Sequence, residues 1–154
     1  MTTNQAQAPP TDRSFRVVRR LAMGGFGVVY QAEMFGPHGF RQMVVIKVAR
    51  SDLAEHQQEA EHRLRDEARI LGRLHHPNIV STFGLVQLEV GWAVMLEWVE
   101  GDSVEALLKS GRCPPRAALE LIGEVADALT HAHEQTEAGV ALGFIHRDVK
   151  PSNI

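Results

Sequence analysis

The sequence predicts an α+β fold in which a five-stranded antiparallel sheet and one long helix precede a helical segment. Three observations carry this. Apolar and polar residues alternate between turn clusters from Phe15 to Ala49 and again from Ile79 to Trp98, the pattern of half-buried strands joined by short connections. One helical stripe separates these two runs. After Gly101 the remaining periodicity is helical. The order β-β-β-α-β-β-α-α then divides the chain into a tail over 1–13, a sheet-rich lobe over 14–100 and a helical lobe over 101–154.

Residues 1–13 are polar, contain Pro9-Pro10 and show no apolar period, so disorder is expected there. Phe15–Leu21 and Gly27–Glu33 read as strands joined through the glycine-rich turn Met23–Gly27. Phe35–Gly39 is a second turn and Arg41–Ala49 a third strand; successive strands with tight turns imply antiparallel pairing. A helix over Ser51–Leu74 follows, with Ala60, Leu64, Ala68, Leu71 and Leu74 at spacings of three and four, and Pro77 prevents its continuation. The preceding His75-His76 reads as a capping and packing pair. Ile79–Leu88 and Trp92–Trp98 read as strands, and Val104–Lys109 as a short helix. Pro114-Pro115 opens a longer helix to about Glu134, with Leu119, Ile122, Ala126, Leu129 and His133 as its expected apolar face. Gln135–Gly143 reads as a loop.

Composition narrows the function classes. A chain of 154 residues with 44% hydrophobic and 23% charged residues is long enough for one globular core. A net charge of −3 with no Lys/Arg block does not suggest nucleic acid or an anionic membrane as primary partner. Cys113 alone cannot form an internal disulfide, which fits a reducing compartment. The first residues carry no apolar signal region, and no apolar run reaches membrane-span length, so a cytoplasmic location is expected.

Several segments carry chemistry. Leu21-Ala22-Met23-Gly24-Gly25-Phe26-Gly27-Val28-Val29 places glycines at a hairpin tip, where a missing Cβ lets backbone N–H groups approach phosphate. A strand follows this turn, whereas a dinucleotide-binding fingerprint opens a helix. In Val44-Val45-Ile46-Lys47, strand alternation puts Val45 and Lys47 on one face. Glu67 falls on or beside the apolar stripe of the long helix, where a carboxylate is costly unless paired; Lys47 and the i−4 neighbour Arg63 are its candidate cations. His131 and His133 are two apart on a helix and point in different directions, which argues against a shared metal. Finally, His146-Arg147-Asp148-Val149-Lys150-Pro151-Ser152-Asn153-Ile154 sets a carboxylate, an ammonium and an amide in one short loop. Phosphoryl transfer to a hydroxyl requires that set.

In this order and near this spacing the segments resemble the bacterial, eukaryotic-like Ser/Thr protein kinases over about Phe15–Ile154. The resemblance implies a two-lobe kinase fold, with a complete small lobe and the first helices of the large one. It implies ATP and Mg²⁺ as cofactors and a protein hydroxyl as acceptor. By the same resemblance Leu21, Ala22, Gly24, Gly25, Phe26, Gly27 and Val29 would cover the phosphates and adenine, and Val45 would lie against adenine. Lys47, in place of Arg63 as the partner of Glu67, would hold phosphate. Leu96 would guard the back of the pocket, Glu97 and Val99 would offer backbone groups to adenine, and Ser103 or Asp102 would reach the ribose. Asp148 would orient or deprotonate the acceptor, Lys150 would neutralise the moving phosphoryl group, and Asn153 would bind the metal. Lysine two places after Asp148 is the Ser/Thr form of the loop. His146 is expected in the core, and Arg147 against a phosphorylated activation segment.

The sequence departs from the pattern at Ala22, where a glycine is usual, and at Val45, where alanine is usual. No D-F-G or A-P-E occurs within these residues. The 154-residue chain alone is therefore expected to be an inactive piece of a kinase. The alternative is a truncated or pseudokinase-like module that binds nucleotide or a partner without turnover.

Overall fold

Three strands, β1 (Ser14–Gly24), β2 (Gly27–Phe35) and β3 (Arg41–Val48), run up and down in sequence order. They are followed by α1 (Gln57–Leu71), β4 (Thr82–Leu88) and β5 (Gly91–Glu97). The structure, a computed structural model, describes residues 13–24, 27–49, 57–111 and 113–154. The expectations for the tail over 1–12, for Gly25 and Phe26, and for the first turns of the long helix over 51–56 lie outside the described residues.

The sheet order is β1-β2-β3-β5-β4, antiparallel at every pairing. β5 enters between β3 and β4 because Ala93, Val94 and Met95 are buried in succession, the mark of a strand covered on both faces. Alternate residues on β4 are exposed, as befits an edge. One face of the sheet closes over Ala32, Met34, Val44, Ile46, Ala93 and Met95. On the other, Val94 packs against Leu64 and Ala68 of α1, flanked by Ala49, Trp92 and Leu96. The stripe expected on α1 is the face that packs. Its helical geometry ends at Leu71, three residues before the predicted end. Arg73 N–H to Ile70 O (3.0 Å) and Leu74 N–H to Leu71 O (3.1 Å) continue it as turns, so Leu74 remains buried.

Other expectations are corrected. β1 extends to Gly24, and its alternation fails in the middle, where Val17 and Val18 are 57% and 53% exposed. A register shift between Val17 and Arg19 accounts for this, since a bulge turns successive side chains outward. β4 starts at Thr82 rather than Ile79, because Ile79 N–H turns back to His76 O at 3.0 Å.

After α2 (Val104–Ser110) and α3 (Pro115–His133), the expected loop contains a small hairpin, β6 (Thr136–Glu137) and β7 (Val140–Ala141). Its tip, Ala138-Gly139, has φ of 50° and 80°, and positive φ at both central residues suits a two-residue hairpin. Alanine rarely adopts that conformation, so the turn carries no sequence signal. On α3 the predicted face is largely the wrong one. Leu119 and Ile122 are 71% and 62% exposed; the neighbouring row Ala118, Leu121, Val125, Ala128 and Ala132 is the one withdrawn from solvent. The helix carries two adjacent apolar rows, and periodicity alone cannot choose between them. No described helix is long and apolar enough to cross a membrane.

Candidate active site

Pairing register builds the roof of the site. Val29 sits opposite Lys47 across β2 and β3, and Lys47 opposite Val94 on β5. Val45 is opposite Leu96, so Val29, Val45, Lys47 and Leu96 belong to one face, the one on which α1 packs. Lys47 Nζ contacts both carboxylate oxygens of Glu67, at 2.7 and 2.6 Å. Both side chains are partly withdrawn from solvent. The Lys47 and Glu67 side chains, with Ala60, Arg63 and Leu64, line a cavity of about 300 Å³ between β3 and α1. Arg63, the other candidate cation, donates to Glu59 one turn back. A second cavity, of about 320 Å³, opens where Met34, Phe40, Phe83 and Met95 meet; Met34 and Met95 belong to the other face of the sheet.

The glycine turn is partly described. Leu21 is half-buried, Ala22 and Gly24 are exposed, and Gly27 is buried. A Cβ on Gly27 would lie 2.4 Å from Val48 O, so this position requires glycine to let β2 pass β3. Gly24 has nothing within 4 Å of such an atom.

The segment after β5 is braced at its start. Glu97 N–H donates to Ser81 O, and Ser81 N–H donates to Glu97 Oε1, both at 2.9 Å. The Glu97 N–H is therefore already engaged, and of its backbone groups only the carbonyl can serve a ligand. Arg19 donates to Gln31 Oε1 at 2.7 Å and lies 5.9 Å over the Trp98 ring, tying β1 to the same segment. Val99 is exposed. Ser103 caps α2 by accepting from Ala106 N–H at 3.3 Å, which leaves its hydroxyl proton to donate elsewhere.

The closing loop is a hydrogen-bonded unit. Asp148 Oδ2 receives Lys150 Nζ at 2.9 Å and Asn153 Nδ2 at 3.0 Å. Asn153 Nδ2 also reaches Asp148 O at 2.8 Å, and a short 3-10 helix, Pro151–Asn153, shapes the turn. The hydrogen bond from Lys150, then that from Asn153, holds the Asp148 carboxyl below its usual range. His146 is exposed rather than in the core: Arg147 at φ 62° bends the chain so that His146 Nδ1 accepts Asp148 N–H at 3.3 Å. Ile154 O accepts Val104 N–H at 2.8 Å. That bond joins the end of the loop to the start of α2 beside Ser103, a tie for which the sequence carries no signal.

The structure thus assembles two polar groups, Lys47 with Glu67 and Asp148 with Lys150 and Asn153. Ser103 is brought near the second through the Val104–Ile154 bond.

The family model described as the protein kinase domain matches residues 15–154. The serine/threonine-protein kinase pkn2 of Myxococcus xanthus is 36% identical over 143 residues, which cover 93% of this chain and 16% of that protein. The tyrosine-protein kinase MasK of Myxococcus xanthus (strain DK1622) is 36% identical over 144 residues, 90% of this chain and 22% of that protein. The serine/threonine-protein kinase PrkC of Bacillus subtilis (strain 168) is 33% identical over 141 residues, 91% and 20%. The chain therefore spans only 16–22% of the length of these relatives. The crystal structure of the Mycobacterium tuberculosis PknI kinase domain superposes with a TM-score of 0.67 at 26% identity, over 90% of this chain and 52% of that one.

Proposed function

The chain belongs to the protein kinase domain family, and from that premise we propose that it is the nucleotide-binding part of an ATP-dependent Ser/Thr protein kinase. The observation that carries the reading is the Lys47–Glu67 pair, with Nζ 2.6–2.7 Å from both oxygens. A half-buried ammonium held by one carboxylate keeps a fixed position while retaining donor capacity for phosphate oxygens.

In this reading adenine lies between Leu21, Val29 and Val45 above, with Leu96 behind and the Glu97 carbonyl and Val99 N–H at its edge. Gly24 and Gly27 flank the turn that covers the phosphates, and Ala22 stands at the position where the family usually has its first glycine. The Ser103 hydroxyl donates to the ribose. The acceptor hydroxyl docks at Asp148, which orients it and takes its proton. As the oxygen–phosphorus bond forms, the bond from the γ-phosphorus to the β–γ bridging oxygen breaks, and ADP leaves. Lys150, already beside Asp148, neutralises charge on the moving group. Asn153 uses its amide nitrogen on Asp148, which turns the amide oxygen outward as a ligand suited to a hard cation. Magnesium held there would offset phosphate charge. The acceptor class, Ser/Thr, rests on Lys150 two places after Asp148.

The test is ATP-dependent phosphorylation of a basic protein by the full-length protein, with phosphoamino-acid analysis of the product. Phosphoserine or phosphothreonine that disappears in Asp148→Asn is expected. Phosphotyrosine as the main product would overturn the acceptor class, and turnover retained in Asp148→Asn would overturn the mechanism. The 154-residue chain alone has no D-F-G among its residues and is expected to show no steady turnover.

A further inference from the structure

The β6–β7 hairpin is not used by the reading above, yet it touches the sheet-rich lobe. Glu137 Oε1 on β6 accepts Arg73 Nη2 at 2.5 Å. Arg73 belongs to the turns that continue α1, through its N–H bond to Ile70 O. It lies six residues beyond Glu67 and two beyond the end of α1. Two further ties flank this one. His76 Nε2 lies 3.1 Å from Asp127 Oδ2 on α3, and Asn78 Nδ2 lies 3.4 Å from Glu124 O. The His76 ring also stacks near His131, at 5.1 Å. The hydrogen bond from Arg73, with the charges of Arg73 and Arg69 adding, holds the Glu137 carboxyl below its usual range, so the pair stays ionised at neutral pH.

We propose that Glu137 is a positioning residue: by gripping Arg73 it fixes the end of α1 to the helical lobe and so keeps Glu67 on Lys47. The inference rests on the reading that the Lys47–Glu67 pair orients phosphate. α1 packs on β4 and β5, contacts within the sheet-rich lobe that do not themselves tie its C-terminal end to the helical lobe. The hairpin supplies a charged stop at that end, reinforced by His76 and Asn78 on α3.

The experiment uses the full-length protein and measures KM for ATP, kcat, and affinity for a fluorescent ADP analogue. Glu137→Gln and Arg73→Gln are each expected to raise KM for ATP about two- to fivefold, the size of an exposed ion pair acting through a neighbour. Melting temperature should change little. The charge swap Glu137→Arg with Arg73→Glu should restore most of the loss. In a Glu67→Gln background, Glu137→Gln should have no further effect on nucleotide affinity. An unchanged KM in Glu137→Gln, or full additivity with Glu67→Gln, overturns the proposal. If Glu67→Gln itself leaves KM and affinity unchanged, the underlying reading fails instead.

Discussion

Lys47 Nζ lies 2.7 and 2.6 Å from the two carboxylate oxygens of Glu67, so one ammonium spans both acceptors of a residue twenty positions away on another element. The contact joins the central sheet to α1, and it turns a partly buried cost for each charge into a fixed donor.

Breaking this pair should affect chemistry more than folding. Because Glu67 is more than a third exposed, Glu67→Gln should cost about 1 kcal/mol of stability or less. Lys47→Met and Glu67→Gln should each lower kcat/KM for ATP by about 10²-fold, the scale for losing one oriented donor to phosphate. Lys47→Arg should not rescue, since a planar fork cannot replace a compact ammonium at this spacing. Steady-state kinetics beside chemical denaturation will separate the two effects.

The glycines of the turn are expected to differ sharply. Gly27→Ala places a Cβ 2.4 Å from Val48 O, and the sheet must open to admit it. A loss of about 1–3 kcal/mol is expected. Gly24→Ala meets nothing within 4 Å and should stay within about 0.5 kcal/mol of the parent. Urea midpoints for the two variants test this; equal losses would contradict the register described.

The Asp148 carboxyl is held low first by Lys150 and then by Asn153. A carboxyl whose folded pKa lies below its unfolded value contributes stability above the unfolded pKa and loses it as pH falls through the folded one. The same sign applies to activity: ionised Asp148 should persist into mildly acidic solution. Lys150→Met removes the largest cause, so the acid limb of the kcat/KM profile should move to higher pH. A carboxyl-carbon NMR titration should show the same upward shift.

Ser103→Ala removes the cap on Ala106 N–H and should cost about 1 kcal/mol. Val104 N–H retains Ile154 O, so α2 should survive as a helix. Circular dichroism during thermal melting should show a lower midpoint with unchanged helix content at low temperature.

Much of this molecule was legible without coordinates. The strands announced themselves as short apolar or alternating runs bounded by turn residues, and α1 because one stripe faces the sheet. Lys47 and Asp148 stood out because ammonium and carboxylate groups in apolar or tightly turned segments need a reason. The less legible elements share one feature: local pattern leaves more than one outcome open. α3 carries two apolar rows, and only the tertiary packing selects the row containing Ala128. The β6–β7 turn depends on an alanine at φ 50°, which a propensity argument rejects.

Order along the chain and residue type determined the fold class and the set of chemical groups, because these follow from period, turn chemistry and spacing; the family was read from the resemblance of the motifs. The tertiary structure decided which groups meet. Glu67 had Lys47 and Arg63 as candidate partners until strand register and the placement of α1 brought one ammonium to both of its oxygens. Glu137 gained a partner only because the hairpin folds back onto Arg73. Pairings across 20 and 64 residues are set by how layers pack, and a linear sequence carries no direct mark of that distance.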